Sequence, residues 1–368
     1  MGQTLTMTTA ESNGTPTPPS PGPAVQRTGE LNRTARTGIL IGSGVLALAI
    51  QLALFSWSLL GWLVIAAITY CLAIYLASRV VEGSRHATDR LVTGVVTTFF
   101  LLAMVPLVSV TVTIIERGTR RLDPAFFTYS MQGVGSGDVG GAYHAILGTI
   151  IVTGLASIIS IPIGVFAAIY LVEYGGKSRT ARALTFFVDV MTGIPSIVAG
   201  LFAIGLFTLF LGPAYQSGIV GAVALSVLMI PTVVRSSEEM LRLVPNELRE
   251  ASYALGVPKW LTIVKVVIPT SIAGLATGVT LAIARVMGET APLLITMGAA
   301  RGTNLNPFEG SMAALPLFSY QQYASPGLDR AASLDMAYTA ALVLMIIVML
   351  LNLLARLISK IFSPSTGR

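Results

Sequence analysis

Charged residues are scarce in this sequence, and cysteine and histidine are scarcer still. Asp, Glu, Lys and Arg make up 11% of 368 residues, hydrophobic residues make up 54%, and the mean hydropathy is +0.77. This composition excludes an ordinary globular domain and is typical of a membrane protein with several spans. The single cysteine, Cys71, excludes an intrachain disulfide and a cysteine metal cluster, and two histidines do not assemble a metal site or a catalytic triad. We therefore expect no catalytic residue and no metal ligand.

The net charge is +6, but the basic residues are dispersed over short loops and do not form the single stripe that binds nucleic acid. Membrane topology explains them better, because Lys and Arg concentrate in cytoplasmic loops. With the N-terminus placed inside, seventeen of the 23 basic residues fall on the cytoplasmic side, five fall outside and Arg285 lies within a span. The sequence therefore predicts a multi-pass membrane protein with both termini in the cytoplasm and no nucleic-acid partner.

Hydrophobic runs divide the chain into a tail, an N-terminal pair of helices and a longer helical domain. Residues 1–37 are rich in Thr, Pro, Ser and Gly and predict a disordered cytoplasmic tail. Residues 38–90 contain an apolar run about twice as long as one span, which we split between Trp57 and Gly61 into two extra helices and a loop. Residues 91–360 form the predicted transmembrane domain, and 361–368 form a C-terminal tail. The later spans are predicted near 91–115, 143–170, 181–210, 216–234, 267–298 and 333–356, which gives eight helices in all.

A polar segment interrupts the apolar sequence at residues 247–269. It reads E-L-R-E-A-S-Y-A-L-G-V-P-K-W-L-T-I-V-K-V-V-I-P, which predicts a short helix, a turn and a second helix. The spacing E-A-x-x-x-x-G, followed by nine residues and V-x-I-P, resembles the cytoplasmic coupling loop of permease subunits in binding-protein-dependent importers of the ATP-binding cassette (ABC) class. In that family the loop sits in a cleft of the ATPase subunit. The resemblance implies that loop 235–266 contacts an ATPase through Glu250, Ala251, Ser252 and Gly256.

Arg285 and Glu289 stand four residues apart in the string L-A-I-A-R-V-M-G-E-T-A-P, deep inside a predicted span. That spacing puts both side chains on one helix face, and each would cost about 2.5 to 3.5 kcal/mol if it faced lipid. They should therefore face the bundle interior or a cavity. One hypothesis is a structural ion pair that fixes helix packing. The other is an anion pathway, in which Glu289 holds Arg285 when no anion is bound; the neighbouring Gly288 and Pro292 favour it by permitting a kink.

Arg235 is a second candidate for such a pathway. It follows Pro231 in M-I-P-T-V-V-R-S-S-E-E-M, close to the cytoplasmic end of a predicted span. A lone arginine there can be a topological anchor that snorkels to the interface. Alternatively, its guanidinium lines the inner exit, because it stays charged and can bond two oxygens of a phosphate or sulfate at once. Asp189, also within a predicted span, is expected to bond to a neighbouring helix or to backbone; the alternative is a role in transport.

Five strings in order narrow the resemblance. They are E-Y-G-G-K-S from Glu173, T-G-I-P-S-I-V-A-G from Thr192, V-V-R-S-S-E-E-M-L-R-L-V-P from Val233, E-A-S-Y-A-L-G-V-P-K-W from Glu250 and A-I-A-R-V-M-G-E-T-A-P-L-L from Ala282. Together they resemble the A-type permease of the bacterial high-affinity phosphate importer over residues 91–360. The resemblance implies an all-α polytopic membrane protein with the ABC importer permease fold, with six core transmembrane helices and, in this chain, two extra N-terminal ones. It also implies that Arg235, Arg285 and Glu289 act in transport.

The same resemblance implies that the chain is one subunit of an assembly in the bacterial cytoplasmic membrane. Its expected partners are a sister permease of the C type, a dimer of ATPase subunits, an extracytoplasmic phosphate-binding protein and phosphate. ATP has to be hydrolysed on a partner, because the string G-G-K-S at Gly175 lacks a glycine that a P-loop requires, and Leu171 stands in its place. We therefore expect a transporter subunit rather than an enzyme, with no cofactor of its own and Mg-ATP on the ATPase.

Two other transport functions stay open at the level of sequence. The first is a permease for sulfate, molybdate or another oxyanion, since an arginine does not distinguish tetrahedral anions by charge. Phosphate can donate a proton that sulfate lacks at neutral pH, so an acceptor such as Glu289 would favour phosphate. The second is a secondary transporter in which Glu289 is protonated and no ATP is used, and the coupling loop argues against it.

Overall fold

A computed structural model describes residues 31–54, 56–135, 140–176, 178–213 and 215–362 of the chain. Within these ranges the secondary structure is helical and contains no strand. The chain divides into two compact units, Met1–Val108 and Ser109–Arg368. The predicted all-α class is therefore confirmed.

The first unit contains helix α1 (Arg33–Leu54), helix α2 (Leu59–Val81) and the first part of helix α3 (Ser84–Gly118). The predicted tail extends too far at its C-terminal end, because α1 already begins at Arg33; residues 1–30 lie outside the described part. The predicted division of the first apolar run is confirmed. Helix α2 begins at Leu59, where the hydroxyl of Ser58 caps it by accepting a hydrogen bond from the N–H of Gly61 at 3.1 Å.

A buried carboxylate lies in the turn between α2 and α3. Glu82 is 4% exposed, and it accepts hydrogen bonds at 2.6 Å from the hydroxyl of Ser78 and from the backbone N–H of Leu31. It also accepts two hydrogen bonds from the guanidinium of Arg90. The bonds from Arg90 are the largest cause of a lowered pKa of Glu82, about 2; those from Ser78 and Leu31 add to the effect, while burial opposes it. One carboxylate thus holds three segments of the first unit together.

The second unit begins within α3, and its centre is formed by α5 (Tyr143–Ile169) and α8 (Gly218–Arg242). Short π-helical turns continue α5 over Tyr170–Gly175 and precede α11 (Ile268–Met287) over Ile263–Val267. Its further helices are α4 (Pro124–Thr128), α5 (Tyr143–Ile169), α6 (Arg179–Thr192), α7 (Ser196–Leu211), α8 (Gly218–Arg242), α9 (Asn246–Ala254), α10 (Lys259–Thr262), α11 (Ile268–Met287), α12 (Ala291–Thr296), α13 (Leu315–Ala324) and α14 (Arg330–Phe362).

Small residues let the central helices approach closely. Gly164 of α5 lies so near α8 that a Cβ atom there would stand 2.6 Å from Cγ1 of Val233. At Gly148, also on α5, a Cβ atom would overlap the carbonyl oxygen of Ala313. Close backbone approach at glycine is how helices gain van der Waals contact in lipid, where the hydrophobic effect does not drive them together. The buried core around this pair includes Val152, Leu225, Met229, Val286 and Leu293.

Two predicted spans are interrupted. The prediction of one continuous helix over 181–210 is wrong, because α6 and α7 meet at an angle of 109°. Between them, Pro195 lacks an N–H and disfavours helical backbone at the residue before it. The predicted span 267–298 is also wrong as one helix. Helix α11 ends at Met287, Gly288 follows as its C-cap, and α12 begins at Ala291 with a proline in its first turn.

Seven helices of the described chain are long and apolar enough to cross a membrane, and the bent pair α6–α7 would be an eighth if it forms one span. The chain is therefore a multi-pass membrane protein, as predicted. The number of six core helices stays a prediction, because a pair bent this sharply can cross the membrane or re-enter on the same side. Helix α14 continues to Phe362, so the predicted C-terminal tail starts too early; residues 363–368 lie outside the described part.

Candidate functional site

A cavity of about 210 Å³ lies in the second unit where three helices are disturbed. It adjoins the bend between α6 and α7, the proline in α8 and the end of α11. Helix interruptions leave backbone N–H and C=O groups without intrahelical partners, and within a membrane these groups are tolerated where they line a cavity or contact protein. The residues that line it are Met191, Thr192, Ile194, Ser196, Leu228, Pro231, Thr232, Arg285 and Glu289.

Arg285 and Glu289 face this cavity together. The prediction that they share a helix face is wrong, because α11 ends at Met287 and Glu289 lies in the turn before α12. In the described part of the chain, neither a structural ion pair nor a hydrogen bond holds Arg285 to Glu289 or to another acid. Arg285 thus presents a guanidinium to the cavity with its donors free for a ligand.

The N-terminus of α7 lies at the same cavity, where Ser196 is a lining residue. Helix α7 begins at Ser196 directly after Pro195, and no side chain caps it. The N–H groups of Ser196 and Ile197 find no acceptor among the described residues, and the helix dipole makes this end of α7 positive. A guanidinium and free amides beside a carboxylate form a set that can hydrogen-bond a tetrahedral oxyanion, including one that carries a proton.

Arg235 does not line this cavity. It lies on α8 one turn beyond Pro231, where its Nη2 pairs with Asp189 of α6 and its Nη1 pairs with Glu238 at 2.8 Å. Glu238 also pairs with Arg242. Two carboxylates hold Arg235, which a simple interfacial anchor does not require, and the predicted bond of Asp189 to a neighbouring helix is confirmed.

Sequence reasoning missed Glu238, although a signal for it was present. Glu238 stands three residues after Arg235 and four before Arg242, the spacings at which side chains on one helix meet. Its side chain is 8% exposed, so both arginines share a nearly buried acid. The pathway residues predicted as one set therefore divide into two places: Arg285 and Glu289 at the cavity, and Arg235 in an ion-pair cluster beside it.

The polar segment forms the predicted helix, turn and helix. Helix α9 is followed by a turn in which Gly256 has a φ angle of +73°, a conformation that favours glycine, and then by α10. The hydroxyl of Ser252 is buried and lies 2.8 Å from that of Thr262, which joins the two helices. Glu250, Ala251 and Gly256 lie at the surface, whereas Ser252 makes a contact within the segment. We call residues 246–262 the coupling segment.

Two basic side chains of the coupling segment form hydrogen bonds to the π-helical turn that continues α5. Arg249 donates to the carboxylate of Glu173 at 2.7 and 3.0 Å and to the carbonyl oxygens of Leu241 and Val244 at 3.0 and 2.6 Å. Lys259 donates to the carbonyl oxygen of Glu173. The side chain of Glu173 is 4% exposed, so the pair is desolvated and sensitive to loss of either partner. Sequence reasoning did not find this contact, because 76 residues separate its partners.

Residues 160–368 match the family described as the binding-protein-dependent transport system inner membrane component. The chain belongs to this family. It is 46% identical over 275 residues to "Phosphate transport system permease protein PstA 1" of Mycobacterium tuberculosis H37Rv, a match that covers 73% of this chain and 88% of that protein. It is 44% identical over 279 residues to the PstA protein of Mycobacterium leprae (75% and 90% covered), and 38% identical over 257 residues to that of Pasteurella multocida (70% and 87%).

A solved structure of a bacterial alginate ABC transporter, in complex with an alginate pentasaccharide-bound periplasmic protein, shares the fold. The TM-score is 0.55 at 12% identity, covering 76% of this chain and 97% of that chain. A likeness at such low identity concerns the fold alone. The chain is therefore an inner-membrane permease with the ABC importer fold, a transporter subunit of a class that works with an ATPase and a binding protein.

Proposed function

We propose that this permease carries inorganic phosphate into the cell, driven by ATP hydrolysis on a separate subunit. The observation that carries the proposal is the unpaired guanidinium of Arg285 in a cavity formed at helix breaks. Phosphate as the cargo is supported by the relatives at 38 to 46% identity, each named as a phosphate transport system permease.

The cavity offers phosphate both donors and an acceptor. Arg285 can bond two phosphate oxygens at once, and the free N–H groups at the start of α7 can bond a third. Glu289 can accept the hydrogen bond of the protonated phosphate oxygen, which sulfate at neutral pH lacks. The donors have to bind phosphate weakly enough to release it, because a site that held the anion equally tightly in every state would only trap it.

The coupling segment would bind the ATPase and move with its conformational change. Its exposed surface includes the apolar side chains of Leu248, Tyr253, Leu255 and Trp260, at 42%, 40%, 84% and 61% exposure. Such a patch at a polar membrane boundary fits a cleft of a partner protein. We assign that partner as an ATPase dimer that binds Mg-ATP, while this chain carries no cofactor.

The binding protein would dock on the opposite face. The loop 298–312 lies at the start of α8, where the N–H of Ile219 donates to the carbonyl oxygen of Pro307 at 2.7 Å. Helix α8 has 25 residues, so about 37 Å separates this loop from the coupling segment. The side chain of Asn304 donates to two carbonyl oxygens of the loop at 2.7 and 3.2 Å, which fixes its backbone. Phe308 is 56% exposed on this loop and would be a docking contact, because a side chain on an already ordered loop loses little entropy on binding.

A sister permease of the C type would complete the pathway. Arg285 is exposed in this chain alone, and an exposed cation inside a membrane needs protein or water around it. The second permease would cover that side, so that phosphate passes along the interface of the two subunits. ATP binding would then move both coupling segments and switch the pathway between its inward-open and outward-open states.

The test is uptake of labelled phosphate and of labelled sulfate by vesicles that contain this chain with its partner subunits. We expect ATP-dependent uptake of phosphate in preference to sulfate. Arg285→Gln should abolish phosphate uptake, a loss of about a hundredfold or more, while the subunits still co-purify. The control is Arg356→Gln, which removes an exposed cation from α14 and should leave uptake unchanged.

Each outcome separates the alternatives. Preference for sulfate or molybdate would keep the importer and replace the cargo. Uptake that does not depend on ATP would favour the secondary transporter. Normal phosphate uptake by the Arg285→Gln variant would remove Arg285 from the pathway.

A further inference from the structure

In the described part of the second unit, one ion pair joins α6 to α8 beside the cavity. Asp189 precedes the cavity residue Thr192 by three positions on α6, and Arg235 follows the cavity residue Thr232 by three positions on α8. The pair thus lies about one helical turn from the cavity on both helices. That turn leads toward the coupling segment, because α8 ends at Arg242, just before α9.

The two carboxylates that hold Arg235 are not equivalent. Asp189 is 60% exposed and pairs with Arg235 alone, whereas Glu238 is 8% exposed and pairs with both Arg235 and Arg242. An exposed single ion pair is weak, while a buried acid with two partners is costly to release. An anion that reached Arg235 would therefore displace Asp189 and leave Glu238 in place.

A phosphate can compete with Asp189 for the guanidinium of Arg235. The planar guanidinium bonds two oxygens of a phosphate with the same fork of N–H groups that it offers a carboxylate. Arg235 keeps one edge on Glu238 through Nη1, and only its Nη2 contact is committed to Asp189. One phosphate oxygen could therefore replace the Asp189 oxygen on Nη2 while Glu238 stays bonded to Nη1.

Helix α8 packs closely against α11 on its other side. If the Asp189–Arg235 pair were lost, α6 is therefore the helix that would shift. A Cβ atom at Gly278 of α11 would stand 2.8 Å from Cβ of Ser236, and one at Gly274 would stand 2.8 Å from Cγ of Met240. These contacts hold α8 to α11 along the stretch that carries Arg235. Helix α6 is the shorter of the two, with 14 residues, and it ends at the 109° bend.

We propose that Asp189 is a positioning residue of the transport pathway that competes with the transported anion for Arg235. While Asp189 holds Arg235, α6 and α8 close the passage between the cavity and the side of the coupling segment. When phosphate takes its place, the two helices separate and the anion leaves. The identity of this anion rests on the proposed function, whereas the closure by Asp189 rests on the ion-pair geometry alone.

The first experiment measures leakage through the assembled transporter in proteoliposomes loaded with labelled phosphate, without ATP. Asp189→Asn should raise the rate of phosphate efflux about threefold or more, because the neutral amide no longer holds the guanidinium. Asp189→Glu should restore a rate close to that of the wild type. The matched control is Asp335→Asn, which breaks another interhelical pair, Arg120–Asp335 at 3.6 Å, away from the cavity.

The second experiment does not depend on the cargo. Thr232→Cys, combined with Cys71→Ser, places a lone thiol at the cavity, and a membrane-impermeant thiol reagent is added on the side of the coupling segment. Asp189→Asn should increase the labelling rate about threefold or more, and Asp335→Asn should not.

These two measurements decide between the possibilities. Unchanged efflux and unchanged labelling in correctly assembled Asp189→Asn would overturn the proposal, and so would equal increases in the Asp335→Asn control. Faster labelling in a complex that moves no phosphate at all would support the closure and show that the proposed cargo is wrong.

Discussion

The carboxylates within reach of an arginine decide what that arginine can do. Arg285 has none bonded to it and is open to a ligand in the cavity. Arg235 divides its donors between an exposed acid and a buried one. Arg249 gives its guanidinium to the buried Glu173 and to backbone carbonyls. Three arginines therefore have three different roles: Arg285 is a candidate binding group, Arg235 belongs to a candidate gate, and Arg249 stabilises the contact between two segments.

At the residue scale, Glu82 allows a prediction about stability. Glu82→Gln removes the charge that bonds Arg90, Ser78 and the N–H of Leu31, so a partly buried guanidinium loses its partner. We expect the first unit to lose on the order of 3 kcal/mol of stability at pH 7. Thermal unfolding of the detergent-solubilised protein measures this, with Glu116→Gln, an exposed acid on α3, as the control.

The same variant tests the pH dependence of this ion pair. The pKa of Glu82 is lowered from 4.5 to about 2 in the folded protein, chiefly by hydrogen bonds from Arg90. A carboxyl with a lowered pKa stabilises the fold fully above about pH 4.5 and loses that contribution as the pH falls toward 2. The difference in melting temperature between wild type and Glu82→Gln should therefore shrink across that interval. A difference that stayed constant would show that the charge of Glu82 is not the cause.

At the scale of the elements, the helix interruptions form the cavity and expose backbone donors, which side chains alone could not do. The proline after α6 and the glycine after α11 end two helices beside each other, and the cavity forms where they end. A continuous helix would hide its backbone donors in i to i−4 hydrogen bonds. The broken pair exposes the positive end of α7 instead, next to Arg285, without adding another charged residue to the membrane.

Close packing along α5 supports a prediction at this scale. A Cβ atom at Gly148 would overlap the carbonyl oxygen of Ala313, whereas Gly154, on the same helix, has no neighbouring atom within 4 Å of that position. Gly148→Ala should cost about 1 to 3 kcal/mol through overpacking, while Gly154→Ala should be neutral or slightly stabilising. Melting temperature and the yield of monodisperse protein measure the difference. Equal effects of the two substitutions would contradict the close contact.

At the scale of the whole molecule, α8 connects the two proposed docking faces, loop 298–312 for the binding protein and the coupling segment for the ATPase. Its first turn is bonded to loop 298–312, its middle lines the cavity at Pro231 and Thr232, and its end leads into the coupling segment. A helix that touches all three can transmit a displacement at one end to the other. The cluster around Arg235 lies between the cavity and the coupling segment, where closure would be most effective.

The positions of these faces give a prediction about topology. Tyr253→Cys in the coupling segment and Leu305→Cys in loop 298–312, each combined with Cys71→Ser, place one thiol on each face; both native side chains are exposed, at 40% and 65%. In right-side-out vesicles, an impermeant thiol reagent should label the Leu305→Cys variant directly and the Tyr253→Cys variant only after the vesicles are opened. Labelling of both variants from one side would contradict the arrangement.

Much of this protein follows from its sequence alone, because the relevant signals are local. Long apolar runs predict spans, and the polar run after Glu247 predicts the coupling segment. The sequence also contains the prolines and glycines that end α6 and α11, but hydropathy averages over a break of three residues and predicts one continuous span. Spacing also suggested that Arg285 and Glu289 belong together, and they do share the cavity, although not a helix face.

Tertiary structure alone decided which charges that are distant in the sequence meet. Asp189 and Arg235 are 46 residues apart, and Glu173 and Arg249 are 76 apart. No helical periodicity relates such positions, because their meeting depends on how α5, α6, α8 and α9 pack in three dimensions. The sequence by itself determined that this chain crosses a membrane and carries few charges there. The packing determined that Arg235 is held and Arg285 is free, since only proximity separates a paired guanidinium from an available one.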